Sequence, residues 1–305
     1  MVLSTLLHRV RTIACDDSRF PARFRDLGNP PTSIRVLGPL GDELLKEDAA
    51  LPAVAIVGTR RATNEALDFA YDLARQLAKQ NIVIVSGGAL GIDSAAHQGA
   101  LDAHGRTIAV LPTGLANPYP ARNRALLTKV AEHGALLTEA SEDEEPYPSA
   151  FLNRNRLIAA LSVATVVVEA PNRSGALSTA AHALVLKRPL LIVPSAPWTS
   201  RNRGGLGLLR QGARICIDAS DVLSVAVIGP GSAQRKFEFE IDKPNNINKL
   251  SAPQQQVMLA ISAGGLTIDD LCDATGIAID ALQATILELQ LRGRIAQQGD
   301  KIVPR

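Results

Sequence analysis

Apolar residues occur in seven short runs between residues 53 and 218, separated by stretches with a helical repeat. The repeat is clearest at 66–80, where apolar residues recur every three or four positions. Runs this rich in Val and Ile are typical of strands covered on both faces of a parallel sheet. The pattern predicts a doubly wound, Rossmann-like α/β domain over 51–222. The runs are AVAIVG (53–58), IVIVSG (82–87), TIAVLP (107–112), ALLTEA (135–140), ATVVVEA (164–170), PLLIVP (189–194) and ARICID (213–218).

Two segments flanking this domain lack that regularity. Residues 1–50 contain several Pro and Gly residues, and we interpret them as a lead-in packed on the α/β domain. Within it we expect a short strand at 34–37 and a short helix near 42–46. Residues 223–250 combine mixed charge with Pro, Gly and Asn, which predicts a linker.

The last segment, 251–305, predicts a second, smaller domain. Three helical stretches, the second starting at the N-cap candidate Thr267, precede residues that alternate around a Gly-Asp turn. Three helices and a hairpin are typical of a winged helix. The segment carries four basic and six acidic residues, and its third helix opens without a cation. We therefore expect a protein-contact module rather than a duplex-binding one. The helices are expected at 253–261, 267–275 and 278–293.

Composition narrows the class of protein without indicating a ligand. With 305 residues, of which 46% are apolar, the chain can bury the cores of two domains. The three cysteines form no Cys-x-x-Cys pair, which argues against a disulfide framework or a zinc ribbon. No window reaches the roughly 18 apolar residues of a membrane span, and the first residues do not resemble an export signal. We expect a cytoplasmic protein without a membrane partner.

Arginines follow the carboxyl ends of most predicted strands. Of the 32 basic residues, 24 are arginines, the side chain suited to bidentate phosphate contacts. Because parallel strands end at one edge of the sheet, where ligands bind, we expect these loops to form a basic rim although the net charge is only +2. The alternative is that surface arginines simply favour loops. The residues are Arg60 and Arg61, Arg122 and Arg124, Arg154 and Arg156, Arg173, and Arg201 and Arg203.

The stretch VSGGALGIDSAAHQGA (85–100) passes from a strand through a glycine-rich turn into a helix, a layout that holds phosphate. Its Gly-Gly-x-x-Gly spacing differs from the dinucleotide fingerprint, and no acidic residue for a ribose ends the next strand. Asp93 would place a negative charge in the first helical turn, and we interpret it as a helix cap. No cofactor is predicted, neither nicotinamide nor flavin. A nucleotide substrate and a nucleic-acid backbone both stay open as the source of the phosphate.

Catalytic chemistry has little support in the sequence. There is no Gly-x-Ser-x-Gly elbow and no P-loop, and the five histidines show no metal spacing. We expect His97 and His182 on packed helices. Glu139 and Glu169 end strands at the ligand edge and could act as bases, but we expect them to pair with neighbouring arginines. No catalytic or metal-binding residue is predicted, and the acidic run 139–145 is either a solvated lid or a partner surface.

Several motifs together resemble the DNA processing protein A family, also called DprA or Smf. Two of them, S-G-x-A-x-G-I-D at 86–93 and F-x-x-R-N-R-x-I-A at 151–159, are specific in combination. The resemblance implies an extended Rossmann domain that binds single-stranded DNA and dimerises. It also implies protection of incoming DNA and loading of the RecA recombinase in natural transformation, without an established enzymatic activity. Further matching segments are AIVGTR, IAVLPTGLANPYPARNRAL, VVVEAPNRSGALSTAAHAL and LLRQGAR.

The resemblance also implies a set of DNA-binding residues. Cations that track a backbone and an aromatic ring on which a base stacks are what a single strand requires. Departures from the family pattern occur at Gly207, where Asn is usual, and in IVPSAPWTSRNRGG, which differs from the usual Val-Pro-Gly stretch. The implied residues are Arg60, Ser86, Gly87, Gly88, Gly91, Phe151, Arg154, Asn155 and Arg156, with Arg173, Ser174 and Gly175 as weaker members.

A second class of function competes with DNA binding. Nucleotide-hydrolysing or nucleotide-sensing enzymes of the Lonely-Guy-like type resemble this sheet but carry P-G-G-x-G-T-x-x-E after the fifth strand. Here the corresponding stretch, APNRSGALSTAAHAL, contains no acidic residue. The expected catalytic glutamate is therefore absent, which favours the DNA-binding interpretation. A third alternative is a purely regulatory winged-helix protein. The acidic third helix predicted in 251–305, which we call the tail, disfavours it.

Overall fold

The computed structural model describes residues 3–40, 52–142, 144, 146–226, 250–261, 265–291, 294–298 and 301–304. The chain divides into two compact units, Met1–Ala233 and Gln234–Arg305. The helix expected near 42–46 and most of the expected linker, 227–249, lie outside the described residues. Within the described ranges no helix is long and apolar enough to cross a membrane.

A nine-stranded sheet forms the centre of the first unit. In spatial order its strands run β1-β2-β6-β5-β4-β3-β7-β8-β9. Those from β3 onward pair in parallel, as the Val- and Ile-rich runs predict. The strands are β1 (Arg11–Ala14), β2 (Ser33–Leu37), β3 (Ala53–Val57), β4 (Val83–Ser86), β5 (Thr107–Leu111), β6 (Ala135–Thr138), β7 (Ala164–Val167), β8 (Leu190–Ile192) and β9 (Arg214–Ile215).

Helices cover both faces of this sheet. Helices α1, α2 and α7, with bounds given below, pack on one face, and α4 and α5 pack on the other. The strand order reverses between β3 and β7, which leaves a crevice at their carboxyl ends. The fold class predicted from the sequence is therefore confirmed. The helices are α1 (Asn64–Lys79), α2 (Ile92–Asp102), α3 (Arg124–His133), α4 (Pro148–Leu161), α5 (Gly175–Val185), α6 (Arg203–Arg210) and α7 (Ala219–Ala226).

The lead-in contributes more to the sheet than the sequence predicts. Strand β2 contains the expected strand, but it pairs antiparallel with β6, and β1 pairs antiparallel with β2. The lead-in therefore adds an antiparallel edge to the parallel sheet, which the sequence did not indicate. Strand β1 was not predicted because only Ile13 among its four residues is buried, so its apolar pattern is weak. Phe24 packs in the core shared with α4.

The second unit has the predicted three helices and a hairpin. Helices α8 (Ala252–Ala260), α9 (Ile268–Thr275) and α10 (Ile279–Leu291) accompany strands β10 (Leu266–Thr267), β11 (Ile295–Gln298) and β12 (Lys301–Pro304). The short β10 was not predicted, and it pairs with β12 in a sheet of order β10-β12-β11. The Gly-Asp turn at 299–300 lies outside the described residues. Apolar residues from all three helices and the hairpin form a separate core.

Candidate functional site

The glycine turn after β4 is held by the buried side chain of Asp93. Its Oδ2 accepts hydrogen bonds from the backbone N–H groups of Gly87 (3.1 Å) and Ala89 (3.3 Å). The turn that the sequence assigns to a phosphate therefore binds an internal carboxylate. Asp93 is not a helix cap, because Gly91 precedes α2 in that position and the bonds run to the loop. The expected capping role is wrong.

Arg154 lies directly beneath the same turn. The side chain is 7% exposed, and its Nη1 donates to the carbonyl oxygens of Gly87 (2.5 Å) and Val110. Burial lowers the pKa of Arg154 to about 10, while the charge of Asp93 favours the protonated form. The guanidinium is therefore charged at neutral pH and is turned inward. Arg154 does not contribute to an exposed basic rim, contrary to the expectation from its position.

His97 is a third buried polar side chain near Asp93 and Arg154. Its Nδ1 lies 2.7 Å from Oγ1 of Thr107, and that hydroxyl donates to the carbonyl oxygen of Ile84. The hydroxyl therefore accepts the proton of Nδ1, and the ring is a neutral Nδ1–H tautomer. Burial and the charge of Arg154 lower the pKa of His97 to about 3. As expected, His97 lies on a packed helix.

Glycine at position 91 permits a close approach between two loops. Its φ of 82° lies in the left-handed region, and a Cβ there would lie 2.4 Å from the carbonyl oxygen of Thr59. The next residue, Ile92, donates its N–H to that same oxygen at 3.3 Å. The glycine turn therefore packs against the loop that carries Thr59 and Arg60, and it sets the position of that loop.

The sequence Arg-Asn-Arg occurs three times in these loops, at 122–124, 154–156 and 201–203, and each asparagine at its centre is buried. Asn123 donates to the Gly88 carbonyl oxygen and to Ser94 Oγ, both at 2.8 Å. Asn155 donates to the Gly175 carbonyl oxygen at 3.1 Å. Asn202 donates to the Val193 carbonyl oxygen and accepts from the N–H of Ala170, both at 2.8 Å. The asparagines tie neighbouring loops together at the carboxyl edge, a role the spacing alone did not indicate.

A crevice with a cavity of about 320 Å³ opens where the strand order reverses. Seven of the residues implied by the resemblance line it, although their loops are far apart in sequence. Arg61, expected at the basic rim, also lines it, as do Thr59, Asn172 and Thr179, which were not predicted from the sequence. The positions of these three in the sequence could have indicated them, because Thr59 and Asn172 directly precede Arg60 and Arg173, and Thr179 lies one helical turn after Gly175. The seven residues are Arg60, Phe151, Arg154, Asn155, Arg173, Ser174 and Gly175.

The other five implied residues do not line this crevice. Ser86, Gly87 and Gly88 are buried below it, and the hydroxyl of Ser86 donates to the Ile56 carbonyl oxygen at 2.7 Å. Gly91 is the packing contact described above. Arg156 instead forms an ion pair with Glu139, in which the single nitrogen Nη2 contacts both carboxylate oxygens, at 2.7 and 2.6 Å.

The two carboxylates at the ligand edge have different partners. Glu139 pairs with Arg156, as expected. Glu169 accepts through Oε2 from the backbone N–H (3.3 Å) and the hydroxyl (3.1 Å) of Thr63, at the start of α1. The expectation that Glu169 pairs with an arginine is therefore wrong. The physical reason is that the orphan N–H groups at a helix start attract a carboxylate as well as a cation does.

Phe151 carries a cation on its ring. The guanidinium carbon of Arg60 lies 4.9 Å from the ring centroid, a cation–π contact. Tyr119 packs against Phe151 in an edge-to-face arrangement, with centroids 5.5 Å apart. The ring that the sequence analysis considers as a stacking surface is therefore partly covered. A base that stacks on the ring face under Arg60 must displace that guanidinium.

Seven of the nine arginines expected at the rim are exposed. Among the residues that the structure describes, none of these seven forms an ion pair. Arg173 has a φ of 64°, a left-handed conformation that non-glycine residues adopt at a cost and that is concentrated at functional sites. The exposed residues are Arg60, Arg61, Arg122, Arg124, Arg173, Arg201 and Arg203.

A mostly parallel sheet with a cation-lined crevice at its switch point is the architecture of a Rossmann-like protein. The model of the DNA recombination-mediator protein A family matches residues 11–226, and the model of the DprA winged helix domain matches 242–301. The chain belongs to this family.

Curated relatives and solved structures agree. The chain is 38% identical over 299 residues to a DNA processing protein DprA of Mycobacterium tuberculosis, covering 93% of this chain and 74% of that one. It is similar to the structure of DprA from Streptococcus pneumoniae (TM-score 0.66, 31% identity, 72% of this chain and 76% of that one). A second structure, of Helicobacter pylori DprA (TM-score 0.63, 32% identity, 72% and 96% covered), is described as having a unique single-stranded DNA binding mode.

Proposed function

We propose that this protein binds single-stranded DNA along the carboxyl edge of its sheet and acts as a mediator of recombination. The observation that carries the proposal is the set of seven exposed arginines collected at that edge in a chain of net charge +2. Anionic backbones gain affinity from such cations by release of counterions. Family membership and the single-stranded DNA binding of the H. pylori relative support the same conclusion.

The proposed contacts divide into two groups. Arg60, Arg61 and Arg173 are exposed at the crevice and would bind phosphates, with Ser174 and Gly175 offering polar backbone beside them. Arg154, with the Ser86–Gly91 turn, would act indirectly, because these groups hold the loops that carry the exposed cations. Asn155 ties α4 to α5 in the same indirect way. Arg156 would contribute only if a phosphate displaced Glu139.

A flexible single strand fits this crevice better than a duplex does. The cavity of about 320 Å³ admits individual nucleotides, whereas a rigid double helix would meet only the outermost arginines. The aromatic pair Tyr119 and Phe151 beside the cations matches the combination of stacking and electrostatics that single strands use. We therefore expect a preference for single-stranded DNA over duplex DNA of equal length.

Family membership supports a finer role. We propose that the protein works in the cytoplasm as a homodimer, protects incoming DNA and loads a RecA-type recombinase onto it. The domain boundaries we propose are a lead-in at 1–50, a DNA-binding domain at 51–222, a linker at 223–250 and a winged-helix domain at 251–305. The nucleotide-hydrolysing alternative is not favoured, because residues 170–184 lack the glutamate that its motif requires.

A binding titration with matched variants tests the DNA-binding proposal. Fluorescence anisotropy with labelled single-stranded and duplex DNA of equal length would be measured for the full chain over a range of salt concentrations. Replacing both Arg60 and Arg173 by alanine should weaken binding of the single strand at least about tenfold. The slope of log affinity against log salt should become shallower by about 0.7 for each phosphate that the variant no longer binds.

The control variant is Arg75→Ala. Arg75 lies near the end of α1, toward the opposite edge of the sheet, and pairs with Asp72. Its removal should leave affinity and salt slope unchanged. Equal loss in the control and the double variant, or equal affinity for duplex and single strand, would contradict the proposed site.

A further inference from the structure

The loop after β8 exposes an aromatic side chain for which the fold has no use. Trp198 is 85% exposed, more than any other large apolar side chain among the described residues. A single exposed apolar residue needs no explanation by itself, but an exposed aromatic ring beside exposed arginines matches the combination of stacking and charge that a single strand uses. Trp198 lies in the segment PWTSRNRGG, which also contains Arg201 and Arg203.

Hydrogen bonds hold both ends of this loop, so the backbone that carries the exposed ring has a defined position. Asn202, which is 1% exposed, bonds to the Val193 carbonyl oxygen at the loop's beginning and to the Ala170 N–H after β7. The N–H of Gly204 donates to the Ala170 carbonyl oxygen at 2.9 Å. Inside the loop, the N–H of Thr199 donates to the Ala196 carbonyl oxygen. The loop is thereby fixed against the segment that leads to Arg173.

Cations of the proposed DNA path continue into this loop. Arg201 and Arg203 are exposed, and neither has an ion-pair partner in the described part of the chain. A second cavity of about 280 Å³ lies beyond β7 from the first crevice, and Thr199 and Arg201 of this loop line it together with Thr63, whereas Trp198 lies outside its lining. Arg61 lines the first crevice and Thr63, two residues later, lines the second, so the two cavities are neighbours along one rim.

The chemistry of the second cavity selects a base over a phosphate. Its wall includes the carboxylate of Glu169, which would repel a phosphate group held inside. Phe69 and Val193 add apolar surface, and the hydroxyl of Ser195 is buried without a hydrogen-bond partner among the described residues. A nucleobase supplies both an apolar face and amino groups that donate to oxygen atoms, whereas the phosphates would remain outside on Arg201 and Arg203.

We propose that the 194–203 loop is a second subsite for single-stranded nucleic acid, in which Trp198 stacks on a base and Arg201 and Arg203 bind the flanking phosphates. The inference rests on the proposed function, since it extends the path of the same strand. Stacking on an aromatic ring tolerates every base, so the subsite would add affinity without sequence preference.

Trp198 is the single tryptophan of the chain, so its own fluorescence reports the contact. Unlabelled oligothymidylates of about 6 and about 20 nucleotides would be titrated into the full chain; the first is near the lower end of the about 4–16 nucleotides that an OB fold covers, and the second exceeds the upper end. With the longer strand the emission should be quenched and should saturate together with the anisotropy signal of a labelled strand. Duplex DNA should leave the emission unchanged.

Substitutions separate stacking from general contact. Trp198→Ala and Trp198→Leu should each weaken binding of the longer strand at least about fivefold, while Trp198→Phe retains most of the affinity. Binding of the shorter strand should change less, because the first crevice can hold it alone. Arg75→Ala serves as the control, with wild-type affinity for both lengths.

These measurements distinguish a failure of the proposed function from a failure of this inference alone. If the wild-type chain binds neither strand by anisotropy, the proposed function fails and the inference fails with it. If it binds but the emission does not change and Trp198→Ala stays within about twofold of wild type, only the inference is overturned. A third outcome is that DNA does not quench the emission, whereas dilution of the protein without DNA shifts it. Trp198 would then lie in a contact between two copies of the chain, and the inference would also be overturned.

Discussion

The carboxyl edge of the sheet and the winged-helix tail have architectures that suit nucleic-acid binding, yet their surfaces are opposite. The sheet edge exposes seven arginines without ion pairs in the described part of the chain. The tail carries Asp269, Asp270 and Asp273 on α9, and its α10 contains no Lys or Arg. Architecture decides where a ligand can bind, and exposed charge decides which ligand binds there.

The two regions also differ in what lies beneath the surface. Under the basic edge, the buried side chains of Asp93, Arg154 and His97 hold the glycine turn and its neighbours. The tail is stabilised mainly by an apolar core that includes Leu271 and Leu282. Substitutions should therefore affect the edge through buried polar groups and the tail through packing and helix caps.

The largest effect should follow from Arg154→Met. The substitution removes two buried hydrogen bonds and leaves the carboxylate of Asp93 without its nearby cation. Breaking a buried charge network of this kind costs about 3–5 kcal/mol. Urea unfolding at neutral pH, followed by circular dichroism, would measure the loss of the free energy of unfolding.

Arg122→Ala provides the comparison for Arg154→Met. Arg122 belongs to the same type of triplet but is exposed, so its removal should change stability by less than about 0.5 kcal/mol. A destabilisation of Arg154→Met that is as small as that of the control would mean that Arg154 is a surface ligand. The buried support of the basic edge would then be refuted.

The second effect concerns pH and His97. The pKa of the ring is about 3 in the folded chain against 6.5 for an ordinary histidine. Between these values the unfolded state binds more protons, so the free energy of unfolding falls as the pH falls below about 6.5. The slope from this residue is about 1.4 kcal/mol per pH unit and is absent above that pH.

A His97→Gln variant isolates the histidine contribution. Burial raises the pKa of Asp93, which acts in the opposite direction, so the wild-type curve alone mixes the two groups. The difference in free energy of unfolding between wild type and variant, measured by urea titration from about pH 7 to about pH 5, should shrink as the pH falls. A difference that is constant with pH would mean that His97 is solvated in the folded chain.

The fold was largely predictable because the apolar runs are strong and regular. Every Val- and Ile-rich run between 53 and 218 contains a strand of the sheet. One strand of this sheet, β1, was not predicted. It has one buried residue, Ile13, and it joins the sheet by pairing with β2 rather than through an apolar pattern of its own. Local sequence cannot report a strand whose stability comes from its neighbour.

The candidate site was predictable in position but not in side-chain direction. The sequence placed Arg154 and Arg156 in one loop cluster, yet they stand two positions apart on α4 and face different surroundings, one the glycine turn and the other Glu139. Asp93 fits both a helix cap and a tie to the preceding loop, because both roles need a carboxylate in the first helical turn. Three-dimensional packing decides between them.

A smaller effect should come from Thr267→Ala in the tail. The hydroxyl of Thr267 accepts from the backbone N–H three residues later and begins α9, as the sequence predicts. Loss of such a cap costs about 1 kcal/mol. Thermal unfolding of the full chain should show a lower midpoint for the transition of the tail, with unchanged affinity for single-stranded DNA. A loss of DNA affinity in this variant would connect the tail to the DNA path.

The smallest effect should come from removing the tail. If exposed charge determines the ligand, a chain ending at residue 233 keeps all seven exposed arginines and all of the buried polar support. Its affinity for single-stranded DNA should stay within about twofold of the full chain, and its salt slope should not change, because every proposed phosphate ligand is still present. Anisotropy titrations at matched salt would measure both quantities, with circular dichroism to confirm that the shortened chain is folded. A shallower slope would place cations of the tail on the DNA. Architecture would then outweigh the acidic surface of α9, and the contrast between the two regions would fail.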